Sequence, residues 1–124
     1  MTTRRWIAAT AVAALSVVLL APSSLGDTSR FKAQGCANDP HWEPGTRRIT
    51  TGDKIAWKNP TQCDHTVTAY SGGWSKNTVL SPDESTGKRF RKAGTFKFRC
   101  TTTGHSVVDG GKCTGMCGRV RVTR

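Results

Sequence analysis

The segment Thr95-Phe-Lys-Phe-Arg-Cys100 alternates with a period of two. An extended strand sends Phe96, Phe98 and Cys100 to one face and Lys97 and Arg99 to the other. Aromatic rings are buried and ammonium groups are not, so the Cys100 sulfur points into an interior. Similar short runs recur along the chain. Thr46–Thr50, Lys54–Lys58, His65–Tyr70, Asn77–Leu80, Lys88–Arg91 and Arg119–Val122 all read as strands. In the second of these Ile55 and Trp57 share a face; in the third His65, Val67 and Ala69 do. Gly52-Asp53, Asn59-Pro60, Ser71-Gly-Gly, Ser81-Pro-Asp and Ala93-Gly94 supply the turns between them. No amphipathic helix of normal length is visible. Short strands with turn signals every 8–12 residues or so predict an all-β domain built as a sandwich or barrel. Its interior should hold Ile49, Ile55, Trp57, Val67, Leu80, Phe90, Phe96, Phe98, Val120 and Val122.

The first residues have another character. Met1 to Trp6 carries Arg4 and Arg5, Ile7 to Leu20 is apolar or small, and Pro22-Ser-Ser-Leu-Gly26 follows. A basic start, a short greasy stretch and a small-residue exit describe a secretory signal peptide. The greasy stretch is shorter than the roughly 20 residues a spanning helix needs, which disfavours a membrane anchor. Thr3-Arg4-Arg5-Trp6-Ile7 resembles a twin-arginine export signal, and the export route stays open. The chain therefore divides into a signal peptide at 1–26, an irregular polar lead-in at 27–41 and a folded domain at 42–124. The destination is the periplasm, the cell envelope or the extracellular space, with no integral span after cleavage.

Lys and Arg outnumber Asp and Glu by 19 to 8, for a net charge of +11. Such a surface favours acidic partners and speeds encounters with them. The positive residues are spread along strands and turns and the chain is exported, so nucleic acid is not the expected partner. The Cys count is five, all beyond the leader. Thiols of exported chains normally pair, and an odd count leaves one over.

Cys100 ends a core strand, and His105 follows it across Thr-Thr-Thr-Gly. His65 opens a strand on the face of Val67, and Met116 has the parity of Val120 and Val122. One thiolate, two imidazoles and a thioether make a soft donor set suited to copper in a trigonal Cys-His-His site with a long axial Met. Zinc prefers four firm tetrahedral ligands to a distant thioether. His41 lies outside this pattern and reads as a loop residue.

The ordered set of motifs resembles the plastocyanin-type cupredoxins. Trp42-x-Pro44, Ile49-Thr-Thr-Gly52-Asp53-Lys-Ile55-x-Trp57-x-Asn59 and His65-Thr-Val-Thr are similar to the first half of such a domain. Leu80-Ser-Pro-Asp-Glu84, Phe90 and Ala93-Gly94-Thr95-Phe-x-Phe98-x-Cys100 are similar to the middle, and Gly115-Met116-x-Gly118-x-Val120-x-Val122 to the last strand. The resemblance spans about residues 42–122. It implies a two-sheet Greek-key β-sandwich with one type 1 copper ion at one end, His65, Cys100, His105 and Met116 as ligands, and one-electron transfer as the function. It also implies that His105 is the electron port. Asn59 is a candidate for tying the His65 loop to the Cys100 loop. One departure stands out. Relatives place the Met a few residues after the second His, whereas here Ser106 to Gly115 intervene. Cys100-Thr-x-x-Gly104-His105 resembles the phytocyanins, with Ser106 to Lys112 as an insertion before Cys113-Thr-Gly-Met116. The remaining cysteines, Cys36, Cys63, Cys113 and Cys117, allow three pairings. We favour Cys63 with Cys113, both flanking the copper loops, and Cys36 with Cys117, the lead-in covering an outward-facing sulfur.

The expected partner is a redox protein with an acidic surface, and the expected state is a monomer. A copper storage or delivery protein could use the same ligands. A metal-free interaction domain on the same fold would require Cys100 to be paired or inert. Copper enzymes need further copper sites, for which this chain has too few histidines, so no enzyme activity is expected.

Overall fold

The computed structural model describes residues 28–124 together with Ala13, Ala14 and Ser16. Apart from those three residues, the expected signal peptide lies outside the described residues. Among the described residues, no helix is long and apolar enough to cross a membrane.

Eleven strands follow one another: β1 Thr28–Gln34, β2 His41–Glu43, β3 Thr46–Thr50, β4 Lys54–Lys58, β5 His65–Ser71, β6 Asn77–Leu80, β7 Ser85–Arg89, β8 Gly94–Arg99, β9 Ser106–Asp109, β10 Lys112–Gly115 and β11 Cys117–Thr123. They form a four-stranded sheet in the order β2-β1-β4-β7 and a five-stranded sheet in the order β3-β11-β8-β5-β6, with β9 and β10 as a separate hairpin. The two larger sheets close on one apolar core as a Greek-key sandwich. Alternation sets what enters it. In β8 and β11, Phe96, Phe98, Val120 and Val122 point inward while Lys97, Arg99, Arg119 and Arg121 point out. Phe98 is fully buried and meets Phe31, Trp42 and Trp57 edge-on, with ring centroids 4.8, 5.8 and 5.3 Å away. Every core residue expected from the alternation is buried.

Three local expectations need correction. The lead-in is not irregular: Thr28–Gln34 is strand β1, central in its sheet, paired in parallel with β4 and antiparallel with β2. Phe31 and Ala33 are its buried residues, at 0% exposure each, and a period-two signal carried by only two apolar side chains is faint. The strand expected at Lys88–Arg91 lies at Ser85–Arg89, because β7 pairs with β4 over Lys58↔Ser85 to Lys54↔Arg89. Phe90 enters the core just past that ladder, its N–H donating to the Asp53 carbonyl. His41 sits on strand β2, its ring beside the Asp39 carbonyl, not in a loop.

Candidate metal centre

Strand β5 begins with His65 and β8 is followed directly by Cys100, at the same end of the five-stranded sheet. Both residues are fully buried. Cys100 Sγ lies 3.7 Å from His65 Nδ1 and 3.5 Å from His105 Nδ1, and the two rings are 5.0 Å apart between centroids. The three ligand atoms lie within 4.8 Å of one another. Cys100 is a free cysteine. A buried thiol facing two imidazole nitrogens, with no disulfide partner, is a donor set that fits a soft metal ion.

The surroundings fix these groups in place. The Thr66 N–H donates to Cys100 Sγ at 3.3 Å, and the Thr102 hydroxyl lies 3.3 Å from the same sulfur. The Thr66 N–H, a donor aimed at the sulfur, would stabilise a thiolate's charge and tune a bound metal. On the far side of the His65 ring, Nε2 is 3.3 Å from Cys63 Sγ. That leaves Nδ1 as the nitrogen facing Cys100. Burial, reinforced by the nearby His105, lowers the pKa of His65, so the ring is held neutral, the form that ligates. Trp42 covers the same region, 6.4 Å from the His65 ring. His105 is only partly buried and borders an open cavity shared with Thr103, Gly104 and the Cys36–Cys63 bridge.

Met116 is fully buried beside this cluster. The residues between it and His105 fold away as the β9–β10 hairpin, in register from Asp109↔Lys112 to Ser106↔Gly115. Gly110 and Gly111 both take positive φ at its tip, 56° and 77°, as a tight two-residue turn requires. Gly115 has φ 95°, and a Cβ there would collide with the His105 carbonyl. The Met116 N–H donates to the His105 carbonyl at 2.8 Å, and the Cys100 N–H donates to the Met116 carbonyl at 3.0 Å. The intervening residues thus loop out, and Met116 adjoins His105 across the base of the hairpin.

The disulfides pair differently from the expectation. Cys36 bonds Cys63, and Cys113 bonds Cys117. Cys117 does face outward, as its parity requires, but the hairpin covers it through Cys113. The lead-in is occupied as β1 in the other sheet, which delivers Cys36 to the His65 loop. Asn59 is also reassigned. Its Nδ2 donates to the Cys63 and Leu80 carbonyls, both at 2.8 Å, and its Oδ1 accepts from Thr61. It braces the His65 loop against β6. The tie to the Cys100 loop is Thr66, whose Oγ1 accepts from the Thr101 N–H at 2.7 Å and lies 2.9 Å from the Thr101 hydroxyl. Sequence spacing singled out neither Thr66 nor Thr102; a Thr directly after a ligand His on a core strand was the available signal.

No family model and no curated protein sequence matches this chain. Solved structures do match it. A purple cupredoxin from Nitrosopumilus maritimus is 14% identical with a TM-score of 0.59, covering 77% of this chain and 99% of its own. Amicyanin from Paracoccus versutus is 18% identical with a TM-score of 0.59, covering 77% and 80%. A single-site variant of amicyanin, described with Cu(I), is 18% identical with a TM-score of 0.54, covering 77% and 81%. The fold of this chain is that of the cupredoxins.

Proposed function

We propose that this cupredoxin-fold chain is an exported one-electron carrier that holds a single copper ion between His65, Cys100 and His105, with Met116 as the axial ligand. The observation that carries the reading is the free, buried sulfur of Cys100 within 3.7 Å of both imidazole Nδ1 atoms. A bound copper ion would supply reversible one-electron chemistry at this position. The protein's part is to keep the donors where both oxidation states can use them. The backbone clasp of Met116 on Cys100 and His105, and the Thr66 bonds to both Cys100 and Thr101, hold the donors in place. Little rearrangement then accompanies transfer. His105, the half-buried edge of the cluster that borders an open cavity, is the electron port. The cationic surface favours an acidic redox protein as partner, met by a monomer.

Addition of Cu(II) to the full chain should produce an intense visible thiolate-to-copper band at one equivalent. Cys100→Ser should abolish it; a band that survives the substitution would overturn the assignment. Voltammetry then separates carriage from storage or delivery. Fast reversible cycling with copper retained in the presence of a chelator supports the carrier, and ready surrender of the ion supports delivery.

A further inference from the structure

The five-stranded sheet carries Arg48, Lys97, Arg99, Arg119 and Arg121 on its outer face, and no Asp or Glu occupies any of its strands. The register sets Arg121 opposite Arg48 and Arg119 opposite Lys97. Like charges directly opposite across a ladder are destabilising. The molecule does not relieve them: among the described residues the ion pairs recorded are those of His41 with Asp39 and Glu43, and none involves Lys or Arg.

The β9–β10 hairpin overhangs part of this face. Beneath it lies an open cavity of about 330 Å³, lined by Tyr70, Lys97, Lys112 and Arg119 and walled by the Cys113–Cys117 bridge. No carboxylate lines it. Arg119 Nε donates to Thr46 Oγ1 at 3.0 Å, which steadies the guanidinium. Burial raises the pKa of Tyr70 against the pull of Arg119 and Arg99, so its hydroxyl stays a donor. Met116 bonds the His105 backbone directly, at the base of the hairpin. The hairpin's tip adds Lys112 to a wall of cations.

We propose that this cavity is a binding site for a phosphate group, either free or as a monoester on a small polar body. Two lysines, an arginine and a tyrosine line one space free of carboxylates, a set of donors and positive charges that suits a multiply charged oxyanion. The volume, at the small end for ligand pockets, leaves room for a body beyond the phosphate.

The test is an amide NMR titration of the full chain with inorganic phosphate and, separately, with glycerol phosphate, at ionic strength held constant with chloride. We expect saturable shifts confined to Tyr70, Lys97, Lys112, Arg119 and their neighbours. Lys97→Gln and Arg119→Gln should each weaken binding about tenfold, the loss of one charge-assisted contact. Lys54→Gln, on the other sheet, should change it less than about twofold, a screened long-range effect. Tighter binding of the ester identifies a carried phosphate as the ligand, and equal binding identifies free phosphate. Shifts that never saturate, that spread evenly over all cationic residues, or that Lys54→Gln weakens as much as Arg119→Gln would overturn the proposal. The readout does not involve copper, so its failure is distinct from failure of the copper reading.

Discussion

Cys100 and Phe98 differ by two positions on one strand, yet their neighbours give them different work. Phe98 is enclosed by three aromatic rings, and Phe98→Ala should cost about 3–5 kcal/mol in denaturant unfolding, the range for a truncated core aromatic. Cys100 has polar neighbours: the Thr66 N–H donates to its sulfur, and the Thr102 hydroxyl and two imidazole nitrogens face it. The Thr66 hydroxyl is its indirect support, and Thr66→Val keeps the N–H bond to the sulfur but drops the tie to Thr101. Copper affinity should fall at least about tenfold, read by competition with a chelator, as for other residues that brace metal ligands. His65 adds a pH dependence. Its folded pKa is lowered, so an unfolded imidazole takes up a proton near pH 6.5 while the folded one waits for lower pH. The unfolded state binds more protons across that window, so the copper-free protein should lose stability as pH falls below about 6.5. Denaturant unfolding of wild type and His65→Gln at about pH 7.5 and 5 checks this: the substitution should shrink the difference. The inward aim of Cys100 and His65 was legible because a period of two is written in the neighbouring residues. The bonding of Asn59 was not, because an amide can reach several carbonyls and spacing does not say which loop is close.

The β9–β10 hairpin carries the main departure from the expected pattern. Along the chain it separates His105 from Met116; in space Ser106 pairs Gly115 and the two residues adjoin. Removing Val107–Thr114, with Cys117→Ala to avoid an unpaired thiol, should therefore leave the visible copper band in place. Its loss would show that the hairpin positions Met116. The two disulfides should differ in weight. Cys36–Cys63 spans 27 residues and Cys113–Cys117 spans 4. By loop-closure entropy, the first should contribute about 3.5 kcal/mol and the second about 2 kcal/mol, measured by unfolding of the paired Cys→Ala variants. Strands β3, β4 and β6 were legible to the residue, since each has a clear pattern bounded by turn residues. Strand β1 was not, because its place is set by pairing with β4 and β2, a long-range fact. The disulfide pattern failed for the same reason: which sulfurs meet depends on where β1 lies.

At the scale of the molecule, the sandwich encloses an aromatic core, gathers His65, Cys100 and His105 at one end and leaves the positive charge of one sheet facing outward, without an ion pair among the described residues. Strand alternation alone made an all-β domain and the inward aim of His65, Cys100 and Met116 legible, whereas the two-sheet Greek-key arrangement followed from the resemblance to the cupredoxins. The phosphate cavity was not legible, since it needs the hairpin folded over the sheet. A bound ion that is absent from the unfolded state stabilises by mass action, about 4 kcal/mol at a thousandfold excess over Kd. The most direct test of the central claim is X-ray absorption at the copper edge of the loaded chain. The account requires one short sulfur contact and two imidazole nitrogens, with the sulfur contact gone in Cys100→Ser. A first shell of oxygen and nitrogen alone in the wild type, or the same short sulfur contact in the variant, would contradict it.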